Sequence, residues 1–93
     1  MSIHIDHDRM ISDTTKHGAW RLPVGRDVWE VSWLPGRLLD RDTATTAMTL
    51  AEIVATRTAD NGLHHDDPAW ALIDALASEL GLTGPAAVTR LGV

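Results

Sequence analysis

Two imidazoles and two carboxylates stand side by side at His64-His65-Asp66-Asp67. These groups suit a transition-metal ion, and the same pairing can act as general acid and base. Adjacent residues do not easily converge on one ion, however, and no second pair follows at ligand spacing. His4, Asp6, His7 and Asp8 offer further ligands only if the N-terminal segment folds over. No nucleophile motif, glycine-rich phosphate loop or paired-carboxylate spacing accompanies the histidines, so no catalytic residue and no cofactor is expected. The tetrad reads best as a polar loop entering a helix, where aspartate caps free N–H groups and complements the dipole. His64, His65, Asp66 and Asp67 stand as weak metal candidates, and a metal-dependent enzyme centred on His64 and His65 as a lesser alternative.

The aromatic side chains form the second group. Tryptophan occurs four times, and phenylalanine and tyrosine not at all. Trp29, Val31 and Trp33 alternate with Val28, Glu30 and Ser32, the period of a half-buried strand. A chain of this length buries only about two-thirds of its unfolded surface, so a thin core needs such large side chains. A core role is the favoured reading. The alternative is an exposed anchor patch of Trp20, Trp33, Leu34 and Arg37, since Trp and Arg dominate interface hot spots. Ile53, opposite the apolar stripe of its helix, is a further candidate for a partner or dimer surface.

The elements that must position these residues follow from local signals. Gly25-Arg26 between the runs Ala19–Leu22 and Val28–Leu34 suggests a two-residue type II′ hairpin turn. That turn pairs Leu22 with Trp29 and Trp20 with Val31 on one face, with Arg21 opposite Glu30 on the other. Pro35-Gly36 then marks the end of the strand. Asp40 or Asp42 can cap a helix whose apolar face is Ala44, Ala47, Met48, Ala51, Val54 and Ala55, and Asn61-Gly62 stops it. A second helix opens at Asp66 or Asp67 with Pro68 in its first turn. Its stripe is Ala69, Leu72, Ile73, Leu76 and Leu80, flanked by Trp70 and Ala77, and Gly81 ends it. Thr83-Gly84-Pro85 begins a short last helix through Arg90. Residues 1–17 show no continuing period and are expected as a flexible or loosely docked arm, with residues 18–93 as a single small domain.

Charge narrows the partners. The net charge is −5, and all of the excess lies in residues 42–93, while residues 1–41 balance. The acidic helical half would repel phosphate, and its helix connection is too long for a helix-turn-helix. Direct nucleic-acid binding is therefore not expected, although an accessory role through Arg21, Arg26 and Arg37 is the runner-up. The absence of cysteine excludes disulfides and thiolate chemistry. No apolar run reaches membrane-spanning length, and the first residues lack the order of a signal peptide, so a cytoplasmic protein is expected.

Over residues 28–54, Trp29-Glu30-Val31-Ser32-Trp33-Leu34-Pro35-Gly36-Arg37 followed by Ala47-Met48-Thr49-Leu50-Ala51-Glu52 resembles small actinobacterial proteins encoded near phage- or plasmid-derived genes. The resemblance implies no particular activity or ligand. The expected architecture is α+β: an antiparallel hairpin, with room for a third strand from the arm, packed against two main helices and a short C-terminal one. The expected role is a protein-interaction or regulatory module, binding another protein or a second copy of itself.

Overall fold

Residues 3–5 and 9–12, within the segment expected as a flexible or loosely docked arm, pair into the sheet as two strands. The computed structural model describes residues 3–60 and 62–92. In chain order it contains β1 (Ile3–Ile5), β2 (Arg9–Ser12), β3 (Ala19–Arg21), β4 (Trp29–Val31) and β5 (Leu34–Leu39), then α1 (Arg41–Asp60), α2 (Ala69–Glu79) and α3 (Gly84–Arg90). The five strands form one antiparallel sheet in sequential order, so the α+β class holds with more strands than expected. Side-chain contacts add to the β2–β3 pairing in docking the N-terminal hairpin. Met10 is fully buried in the core, and the Ser12 hydroxyl donates to the buried carboxylate of Glu52 on α1. Met10 and Ile11 are adjacent and point to opposite faces of a four-residue strand, so no apolar alternation marks it in the sequence pattern.

The β3–β4 register is one residue away from the expected pairing. Ala19 opposes Val31, Trp20 opposes Glu30 and Arg21 opposes Trp29. A one-residue slip turns every side chain of a strand to the other face. Ala19, with Trp29 and Val31, therefore enters the core, and Trp20 points outward beside Glu30. The connection is wider than a two-residue turn, because the Leu22 N–H donates to the Val28 carbonyl around residues 23–27. Arg21 does not pair with Glu30; its guanidinium donates to the Arg26 carbonyl at 2.8 Å, inside this loop.

Leu34-Pro35-Gly36-Arg37 does not end a strand but starts β5, after a two-residue turn at Ser32-Trp33. Val31 pairs with Leu34 and Trp29 with Leu39, so two steps along β4 match five along β5. The extra residues form a bulge at Gly36, whose φ of 80° a side chain would resist. Proline fits here because β5 is an edge strand, where a missing donor costs little. The Glu30 carboxylate accepts the Gly36 N–H at 3.0 Å and closes the bulge.

Asp40 caps α1, its carboxylate accepting the Thr43 N–H at 2.7 Å. Hydrogen bonds from the Thr43 side chain and backbone hold the Asp40 carboxyl below its ordinary pKa. Thr45, Thr46, Thr49 and Thr58 bond back to carbonyls four residues earlier, which absorbs their hydroxyls inside the helix. Of the expected stop, Gly62 has a φ of 77° and Asn61 lies outside the described residues. α2 begins at Ala69, with the Asp67 carboxylate accepting the Ala69 N–H at 2.8 Å. Thr83 caps α3 by accepting the Ala86 N–H at 3.2 Å. Within α2 the buried set is Ile73 and Ala77, joined by Leu80 at its end; Leu72, expected on the stripe, is 51% exposed.

The layers follow from these faces. α1 packs on β2 and β4 on one side and on α2 on the other, and α3 packs on α2. The helices therefore lie on one side of the sheet, and the core runs between sheet and α1 and on into the α1–α2 contact. The opposite face of the sheet is left to solvent.

Candidate functional site

Strand pairing composes that solvent face. Arg9 of β2 opposes Trp20 of β3, and Trp20 opposes Glu30 of β4, giving one cross-strand row of cation, indole and carboxylate. A second row holds His4 opposite Ile11, followed in register by Gly18 and then Ser32. Trp20 is 39% exposed, Ile11 52% and Leu38, on β5, 68%. Gly18 is small where its neighbours are large; a Cβ there would come 3.2 Å from the Met10 carbonyl oxygen. The result is a shallow depression of about 430 Å³ lined by Arg9, Ile11, Lys16, Gly18, Trp20 and Ser32. Large apolar side chains beside Arg and Trp, on a face that no other described element covers, are the composition of a docking surface.

The β2–β3 connection borders this face and supplies the nearest thing to a catalytic pair. His17 Nδ1 lies 3.0 Å from Ser32 Oγ, a hydroxyl against an imidazole. Such a pair resembles an activated nucleophile. Its remaining bonds argue for a structural duty: Ser32 Oγ accepts the Gly18 N–H at 3.0 Å, and His17 Nε2 lies 3.5 Å from the Leu91 carbonyl. These contacts tie β3, the β4–β5 turn and the C-terminal end of α3 together. No pair of N–H groups among the described bonds aims at a reacting oxygen beside Ser32, as acyl transfer requires. On the other side of the same connection, Thr14, Lys16 and His17 face Val54, Thr58 and Leu91 across an open cleft of about 440 Å³. Ser12 Oγ organises this connection, accepting the N–H groups of Thr14 and Thr15 at 3.0 and 3.3 Å.

The residues singled out in the sequence separate in space. His64, His65 and Asp66 are exposed in the α1–α2 connection. Asp67 is engaged by Arg57 at 3.0 Å as well as by the Ala69 N–H, and the His64 carbonyl accepts the Trp70 indole N–H at 2.7 Å. Among the described residues no three His, Asp or Glu side chains gather as a metal site. Trp33 is 4% exposed, with its indole N–H 3.3 Å from the Ala47 carbonyl, and Leu34 is fully buried; neither offers a surface to a partner. Arg37 is half-buried and Ile53 packs partly against the core. Only Trp20 of the anchor patch faces solvent on the open sheet. Arg21, Arg26 and Arg41 border a separate depression of about 300 Å³, where Asp27 and Asp42 offset their charge. Ile11, Arg9 and Leu38 were not foreseen, because their face depends on a register that local pattern leaves ambiguous.

No protein-family model matches the chain, and neither a curated protein nor a solved structure matches it. No single helix among the described residues is long and apolar enough to cross a membrane.

Proposed function

We propose that the protein is a small binding module that engages another polypeptide through the outer face of its sheet, acting in the cytoplasm without catalysis of its own. The observation that carries this reading is the Arg9–Trp20–Glu30 row with Ile11 and Leu38 on the sheet face that the helices leave open. The acidic side chains of the helical half, including Asp60, Asp74 and Glu79, are exposed away from the strands and keep that layer hydrated. A photo-crosslinking side chain placed at Ile11 or Leu38, and for comparison at Leu72 on α2, tests the assignment in the host cell. Adducts are expected from the two sheet positions and not from Leu72, and Trp20→Glu should abolish them. Equal labelling from Leu72, or adducts indifferent to Trp20→Glu, would refute the reading.

A further inference from the structure

We infer that the polypeptide seated on this face is a second copy of the chain, an inference that rests on the outer sheet face being the binding surface. The row running across β2, β3 and β4 reads positive, aromatic, negative: Arg9, Trp20, Glu30. Neighbouring strands are about 4.8 Å apart, so the two charges flank the indole at about equal distances. Lay a second sheet face to face on the first, related by a two-fold axis along β3 through Trp20. The axis reverses the order of the row. Arg9 of each copy then meets Glu30 of the other, twice, with the two indoles between them. A two-fold interface requires a patch that is complementary to itself, and this row has that property. Strands related by such an axis run aligned, which is one of the two preferred ways for sheets to pack.

The surrounding structure agrees with this occupant. The charge excess of −5 belongs to residues 42–93, which form the helical layer. Sheet-to-sheet contact puts the two acidic layers on the outside of the pair, whereas any helix-to-helix contact would press them together. The hollow over Gly18, beside Trp20, gives two indoles room to lie next to each other without forcing the sheets apart. Arg9 makes no side-chain bond to any described residue in the isolated chain, and Glu30 uses one carboxylate oxygen on Gly36. Both therefore have capacity for a partner across the face.

Size sets the expected strength. Five strands of three to six residues give a face roughly 24 Å wide and 10–20 Å long. That is smaller than the roughly 800 Å² per partner of a standard complex. Association should therefore be weak, at micromolar concentrations and above.

Sedimentation equilibrium of the full chain from about 5 to 500 μM, at about 0.05 and 0.5 M salt, tests this directly. Wild type should self-associate as a dimer that weakens with salt. Arg9→Glu alone and Glu30→Lys alone should each raise the dissociation constant about tenfold or more, because each leaves like charges facing. An equimolar mixture of the two variants should dimerise again, since the two rows are then complementary. Because Glu30 also holds the Gly36 N–H, far-ultraviolet circular dichroism must show Glu30→Lys to be folded; Trp20→Ser gives an independent loss of association. A wild type that stays monomeric throughout, or a mixture no better than its components, overturns the inference. The photo-adducts at Ile11 separate the two levels: an adduct with a different protein keeps the binding face and removes the second copy, and no adduct removes both.

Discussion

Replacing Trp33 with alanine asks whether this tryptophan belongs to the core or to a surface. Its side chain is 4% exposed, wedged between the β4–β5 turn and α1. A tryptophan buries about 200 Å², and at about 25 cal/mol per Å² its full burial is worth about 5 kcal/mol. Alanine keeps a small part of that, and the cavity adds a penalty, so a loss of about 3–5 kcal/mol is expected. Losing the indole N–H bond adds little, because the Ala47 carbonyl lies inside α1 and keeps its helical partner. A chain of this length has about 5–14 kcal/mol of total stability, so Trp33→Ala should be close to unfolding. Trp20 is the control: at 39% exposure, Trp20→Ala should cost about 1–2 kcal/mol. Urea titrations followed by far-ultraviolet circular dichroism, at a protein concentration below self-association, measure both differences. Trp33→Phe, which retains most of the volume, guards against a variant too unstable to measure. The reasoning fails if Trp33→Ala lies within about 1 kcal/mol of wild type, or if Trp20→Ala is the costlier change.

Further outcomes are expected at three places in the fold. Ser12→Ala removes a donor from the buried Glu52 carboxylate and should destabilise by about 1–3 kcal/mol in the same titrations, whereas a surface serine would cost almost nothing. The folded-state pKa of Asp40 is depressed, so its contribution is present above the ordinary carboxylate range and is lost as pH falls through the depressed value. Asp40→Asn keeps a neutral cap, and its melting temperature should therefore approach that of wild type on going from about pH 6 to about pH 3; a constant gap would contradict the role of the charge. In the α1–α2 connection, Arg57→Ala removes a part-buried ion pair and should cost about 0.5–1 kcal/mol. Asp67→Ala also frees the Ala69 N–H and should cost about 1 kcal/mol, with faster amide exchange confined to the start of α2.

The helix ends and the helix stripe, which rest on contacts within a few residues, could be read from the chain. Asp40, Thr83 and Gly81 act at helix ends because capping is satisfied by neighbours three or four positions away. The α1 stripe from Ala44 to Val54 is legible for the same reason, since 3.6-residue periodicity is a local property. Pro35-Gly36 was misread because a turn signal and an edge-strand bulge share the same residues; only the neighbouring strand, and the Glu30 carboxylate on the Gly36 N–H, distinguish them. The candidate face fared similarly. Trp20, Trp33, Leu34 and Arg37 are close in sequence, yet the turn at Ser32-Trp33 sends Trp33 beneath α1 while Trp20 remains outside.

By itself, then, the sequence determined an α+β chain with a neutral strand-forming half that holds three of the four tryptophans, and an acidic helical half. Composition and local periodicity suffice for that. Tertiary structure alone decided which side of each strand faces water. The alternation in Ala19-Trp20-Arg21 is compatible with two registers one residue apart, and each satisfies a plausible set of cross-strand pairs. What selects between them is volume: the inward position on β3 lies among the buried Met10, Trp29 and Val31, and alanine fits there where tryptophan would not. That choice, made by residues distant in sequence, turned Trp20 outward and created the face on which the proposed binding depends.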